Sequence, residues 1–312
     1  MNVLIPITVT DAMIGAGTTI SEPGPGEVVW TVGAYSLGDV RIRTTTHRVY
    51  QAIQAHSGRP TVPELDPAFW KDIAPTMRWA PFDIYTTTAA KTTTSLTYVM
   101  SVGFFNALSF YGLIGSTLEI TVKNAPSGTI IYPVGGTGPQ IVDLFEQAVG
   151  LYELLFTTLR QINRLVIKDI LIHPTAELTV KVVASTGDPV ALGMLNIGDY
   201  RSLINSQIFG GTEYGASAEP KSYSYIKYFD DGTQQIVKRG SSTDMRGTVV
   251  MPAEDTSAAV ELVRNVLDVP VSCIATDVSG YDYLNVFGLL SGSAEASSPT
   301  HSKFNFLVKG SI

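Results

Sequence analysis

The sequence predicts a mainly β protein: a small aromatic β module followed by β-sandwich domains, the last flanked by one α-helix. Three observations carry this. Short Thr- and Val-rich runs alternate apolar and polar side chains, as a half-buried strand requires, and Leu178, Val180 and Val182 do so strictly. Turn-forming clusters punctuate the runs, among them Asn124-Ala125-Pro126-Ser127-Gly128 and Gly135-Gly136-Thr137-Gly138-Pro139. Only residues 257–267 combine a clear helical period with an acidic start, Glu254-Asp255-Thr256.

Composition narrows the class further. The chain has 312 residues, of which 16% are charged, against about 25% in an ordinary soluble domain. Hydrophobic residues make up 45% and the mean hydropathy is +0.18, which excludes a disordered chain and a charged coiled coil. A net charge of -7 argues against a protein that grips nucleic-acid phosphates. The lone Cys273 excludes an intrachain disulfide and a multi-thiolate metal site. So little charge on so apolar a chain points to surface covered by partners, and hence to an assembly subunit that forms a homo-oligomer.

Residues 1–26 read as an N-terminal arm closed by the linker Pro23-Gly24-Pro25-Gly26, which neither a helix nor a central strand tolerates. The start has no basic segment and no long apolar run, so neither secretion nor membrane insertion is expected. Residues 27–85 hold all three tryptophans, with strands around Val40, Ile42 and Val49–Ala52 and a turn at Thr44–His47. Residues 86–205 read as a β-sandwich, with strands at Leu96–Val102, Thr117–Lys123, Thr129–Tyr132, Arg164–Ile172 and Glu177–Ala184. Within it Ile141, Phe145, Ala148, Tyr152, Leu155, Leu159 and Ile162 fit a helical spacing that Gly150 weakens, so one or two helical turns are expected rather than a full helix. Residues 206–312 read as a β-sandwich with one helix. A hairpin joins Tyr223–Phe229 to Gln234–Lys238 through Asp230-Asp231-Gly232-Thr233, a strand follows at Met245–Val250, and Val260, Val263, Val266 and Leu267 line the helix. Strands Val269–Ala275, Tyr283–Leu290 and Phe304–Val308 close the chain.

No constellation of catalytic residues stands out. His47, His56, His173 and His301 lack metal-binding spacing, and no nucleophile elbow is present. Gly135–Gly138 lacks the lysine of a phosphate loop, and Asp230-Asp231 lacks the calcium-loop pattern. Asp83, Glu153, Asp169 and Asp199 are unprivileged carboxylates that only spatial proximity would make a sugar-cleaving pair. The reading is therefore non-enzymatic, with no cofactor and no metal.

Tyr35-Ser36-Leu37-Gly38-Asp39-Val40, Val49-Tyr50-Gln51-Ala52, Pro60 and Phe69-Trp70 resemble the small chitin-binding-type carbohydrate-binding modules over about 45 residues. That resemblance implies sugar stacking by Tyr35, Tyr50, Trp70 and Trp79; the favoured alternative makes Tyr35, Tyr50 and Trp70 the core of a domain too small to have another. The continuation is similar to a family of tailed-bacteriophage virion proteins. Its carriers are Trp70-Lys71-Asp72-Ile73, Arg78-Trp79-Ala80-Pro81-Phe82-Asp83, Asn106-Ala107-Leu108 through Gly112-Leu113, Tyr283–Leu290 and His301–Gly310. This implies a structural subunit of the virion, in the tail or tail tip, whose partners are other tail proteins and further copies of itself. A glycan-binding receptor-recognition role, contacting a host-surface glycan, is the alternative, and a capsule depolymerase the weaker one.

Val3, Leu4, Ile5, Ile7 and Val9 give the arm an apolar face that would aggregate if free. It is expected to dock as an added strand, preferably on a neighbouring subunit and otherwise on the chain's own sandwich. On the first option, deleting residues 2–21 leaves the later domains folded and abolishes assembly.

Overall fold

The computed structural model describes residues 1–146, 150–156, 160–205, 209–276, 278 and 280–311. The chain opens with β1 (Asn2–Pro6) and enters the aromatic module through β2 (Ala34–Tyr35), β3 (Val40–Arg43), β4 (Arg48–Ala52), β5 (His56–Ser57) and β6 (Trp70–Pro75). The next part holds β7 (Ala90–Thr93), β8 (Ser95–Ser101), β9 (Ala107–Tyr111), β10 (Thr117–Lys123), β11 (Ile130–Tyr132) and β12 (Gln140–Asp143). It continues through α1 (Leu151–Phe156), β13 (Arg164–Ile167), β14 (Glu177–Val183), β15 (Pro189–Leu192) and β16 (Met194–Ser202). The last part holds β17 (Gly211–Thr212), β18 (Ser217–Ser222), β19 (Tyr225–Tyr228), β20 (Gln234–Val237) and β21 (Ser241–Pro252). It closes with α2 (Ala253–Asn265), β22 (Val271–Ile274), β23 (Asn285–Ala296) and β24 (His301–Gly310).

The fold is mainly β. Its largest sheet has ten strands in the order β13-β9-β16-β1-β22-β23-β24-β21-β17, with β18 also on β21. This sheet runs without a break through what the sequence divides at residues 205 and 206. The joint is β1, antiparallel to β16 with Leu4 opposite Tyr200, and antiparallel to β22 with Leu4 opposite Ser272. The arm is therefore a central strand of its own chain's sheet. Both edges of β1 are filled by strands of the same chain, so the arm docks on its own chain here, the second of the two expected options. A Cβ at residue 198 would collide with the carbonyl oxygen of Ile5, so Gly198 is what lets β1 approach β16.

One face of the sheet carries two cores. Over β9 and β16, Leu108, Phe110, Leu195 and Ile197 meet Leu96, Tyr98, Leu118, Ile120, Val180 and Val182 of a second sheet, ordered β11-β10-β14-β8, with β12 also on β10. This is the expected sandwich. Further along, Val3, Cys273, Val286, Phe304 and Phe306 pack with Ala259, Val263 and Val266 at α2. Among the described residues the helix, and not a second sheet, covers this half, with Ala259 and Val263 inward while Leu267 is exposed. The arm serves both cores, since Ile5 packs on the second and Ile7 and Val9 on the first.

The opposite face curls. Ser109 on β9 and Ser272 on β22 approach to 2.7 Å between hydroxyl oxygens, although β16 and β1 lie between them in strand order. In a flat sheet the two strands would stand roughly 14 Å apart. Asn196 Nδ2 donates to the Ser272 hydroxyl at 3.1 Å, and the buried Tyr111 hydroxyl donates to Asn285 Oδ1 at 2.8 Å. These bonds satisfy polar groups that no water reaches and fix the curl.

Beyond β1 the arm covers an edge. Gly15 N donates to Val99 O at 2.7 Å and Thr19 N to Thr97 O at 2.9 Å, so residues 14–19 close the free side of β8. Other boundaries differ from the sequence reading. Of the helical spacing over 141–162 the structure keeps the short α1, while Gln140–Asp143 is β12 and Phe145 makes an isolated bridge to Gln161; Ala148 and Leu159 lie outside the described residues. The strand from Arg164 stops at Ile167, and Asp169 has φ of 61°.

Burial pushes the Cys273 thiol well above its ordinary range. Since Cys273 sits opposite Val3, its reactivity reports on β1. Native protein is expected to resist thiol alkylation until it unfolds. Leu4→Ala removes a fully buried side chain and should cost about 2–5 kcal/mol in denaturant titration, with faster alkylation. Deleting residues 2–21 removes a central strand, so loss of cooperative unfolding is expected and a folded remainder is not.

Candidate interaction surfaces

The aromatic module is built on its own small core. Trp30, Tyr35, Tyr50, Ala52 and Trp70 are buried together, with Val62 and Phe69 against them. The turn read at Thr44–His47 joins β3 to β4, with His47 at φ of 55°, and β6 completes the three-stranded sheet. Tyr35 meets Trp70 edge to face at 5.0 Å, and the Tyr50 hydroxyl lies 3.2 Å from that of Thr46. Relative exposure is 7% for Tyr35, 5% for Tyr50 and 2% for Trp70. Trp79 is half-buried, and His47 stacks on its face at 4.2 Å.

These four rings therefore do not form a sugar platform, which requires open ring faces. Three fill a core and the fourth lies under an imidazole. Burial could not be read from the motif, because stacking platforms and small cores use the same residues. His56 sits among Tyr35, Phe69 and Trp70 at 5.3 to 5.4 Å, and neither of its ring nitrogens has a hydrogen-bond partner.

The arm holds the module to the rest of the chain. His47 Nε2 lies 2.9 Å from Asp11 Oδ2, and its Nδ1 lies 2.9 Å from the buried carboxylate of Glu22. Thr76 Oγ1 donates to Glu22 at 2.6 Å, and Met77 N donates to Glu27 at 2.7 Å. Val3, Leu4, Ile5, Ile7 and Val9 are thus contacts within the chain.

The carboxylates named from sequence have unlike surroundings. Asp83 accepts from Tyr85 N and Thr88 Oγ1, and burial raises its pKa. Asp199 pairs with Arg201 at 2.6 Å, and Asp169 lies on the wall of an apolar groove. The Glu153 side chain is outside the described set. No described helix is long and apolar enough to cross a membrane.

Apolar surface lies elsewhere. From Ser217 to Arg246 the chain forms one antiparallel ribbon, first β18 on β21, then β19 on β20. The turn runs through Gly232 at φ of 83°, where the sequence placed it. Tyr223, Tyr225, Ile226, Tyr228, Phe229 and Ile236 are all exposed. A groove of about 710 Å³ lies beside the end of β13, lined by Ile130, Ile131, Val134, Ile170, Leu171 and Ile172 with Asn106, Gly135 and Asp169. The ribbon was legible as a hairpin. Its exposure was not, because alternating Tyr and Ile also describe a buried strand.

No protein-family model, no curated protein and no solved structure matches the chain.

Trp70→Ala should cost about 3–5 kcal/mol of module stability, seen as an early unfolding transition by near-ultraviolet circular dichroism. Glycan arrays probed with the intact chain should show no signal that Tyr50→Ala or Trp79→Ala removes.

Proposed function

We propose that this chain is a non-enzymatic structural subunit of a tailed-bacteriophage virion, in the tail or tail tip, acting through contacts with further copies and with other tail proteins. The single observation that supports an assembly role is the ribbon of residues 217–246, which carries six exposed large apolar side chains into solvent. Its β19–β20 end is a separate two-stranded sheet, and such a hairpin is marginal in water, so a partner surface has a stabilising task to perform. The low charge of the chain agrees with this. The virion setting rests on the resemblance of the 70–113, 283–290 and 301–310 runs to tailed-phage proteins.

The receptor-binding alternative loses its aromatic platform to burial, and no observation favours a depolymerase. Two measurements test the reading. Sedimentation velocity of the purified chain should show a defined oligomer at micromolar concentration, and peptide mass spectrometry should find the chain in purified particles. A chain that stays monomeric and never enters particles would overturn it.

A further inference from the structure

The ribbon has two unlike faces. On one, Ile226 lies opposite Ile236 and Tyr228 opposite Gln234, with no charged group among them. Exposure is 64% at Ile236 and 70% at Tyr228. On the other, the Arg239 guanidinium lies over the Tyr225 ring at 4.9 Å and the Lys227 ammonium over the Phe229 ring at 5.1 Å. The second face is thus self-satisfied, with cations covering rings and facing water. The first is exposed, and among the described residues no cation covers Ile226, Tyr228 or Ile236.

Charge separates the ribbon from the body. Residues 221–240 hold Lys221, Lys227, Lys238 and Arg239 against Asp230 and Asp231, a net of +2 in a chain of net -7, which leaves -9 for the remainder. Opposite charge favours the approach of one copy's ribbon to another copy's body over ribbon to ribbon.

The groove supplies a matching surface. Val134 and Leu171 are exposed apolar side chains on its walls, and Asp169 is its one charged lining residue, of the sign opposite to the ribbon's net charge. It follows directly on β13, the terminal strand at one end of the ten-stranded sheet, while the ribbon prolongs the β18–β21 pair at the other end. The remaining edges are less receptive. Residues 14–19 cover β8, and Pro220 between Glu219 and Lys221 blunts the outer edge of β18.

We infer that the Ile226–Ile236 face of one copy docks in the groove of Val134 and Leu171 on a second copy, head to tail. This deepens the assembly reading and rests on it. A contact between two different patches is heterologous, and repeated it closes a ring or grows a filament.

The test uses the full chain. Ile236→Cys and Leu171→Cys are made as separate variants, mixed in equal amounts and treated with a short bis-maleimide; the buried Cys273 leaves the parent silent. The expected result is a covalent dimer only in the mixture, with a 236–171 linked peptide by mass spectrometry. The double variant should give a ladder. In parallel, Ile226→Asp with Ile236→Asp should weaken self-association about thirtyfold, the size of a hot-spot loss, with an unchanged circular dichroism spectrum. Leu171→Asp should do the same. Linkage of 236 to 236, or an oligomer indifferent to both sets of variants, overturns the inference while leaving the assembly reading standing. A parent chain that is monomeric and absent from particles brings down both.

Discussion

Insertion of β1 between β16 and β22 is the contact on which the rest of the structure depends. Without it the ten-stranded sheet is two separate sheets, one under a β-sandwich and one under a helix. Five residues supply the whole joint, and alternation makes each of them count. Val3 and Ile5 face the second core and Leu4 the curled face, so a one-residue slip would exchange the two sets. The same segment then covers the β8 edge and pins the aromatic module through Glu22, Glu27 and His47. A single stretch of 27 residues therefore ties three bodies together. Its contacts are among the most distant in sequence, so forming them carries the largest loop-closure cost in folding.

The curl of the large sheet follows from that joint. Closing β9 toward β22 brings Ser109, Asn196 and Ser272 into one hydrogen-bonded group, and Tyr111 onto Asn285. These groups are buried, so each must be paired or cost free energy on the order of 1–3 kcal/mol. They hold one curvature rather than adding bulk stability, because a flatter sheet would leave them unpaired. The strands on either side of the joint are thereby tied together, with the ribbon and the groove at the two ends of one sheet.

The apolar character of the chain is distributed in a telling way. The aromatic side chains that look most like a binding surface, Tyr35, Tyr50 and Trp70, are inside, and a small module has no other core to offer. The residues that look like ordinary strand material, Tyr225, Ile226, Tyr228 and Ile236, are outside. Aromatic content by itself does not distinguish a platform from a core. What distinguishes them is whether a second layer covers the ring.

By itself the sequence determined the local elements. Thr117–Lys123 coincides with a strand because its alternation fixes a period of two, and the Asp230–Thr233 turn forms because Gly232 admits a positive φ. The acidic start and the apolar spacing read over 257–267 likewise mark α2, which begins earlier, at Ala253, and ends at Asn265. The sequence did not mark Met194–Ser202, whose first five residues are buried on both faces and so lack alternation, nor the strand at Gln140–Asp143, whose spacing also suits a helix. Only the tertiary structure decided which strand sits beside which. It put the arm inside its own sheet, turned the carbohydrate-module rings inward and left the ribbon bare. Pairing and burial depend on partners far away in the chain, and period, propensity and turn chemistry act only over a few residues.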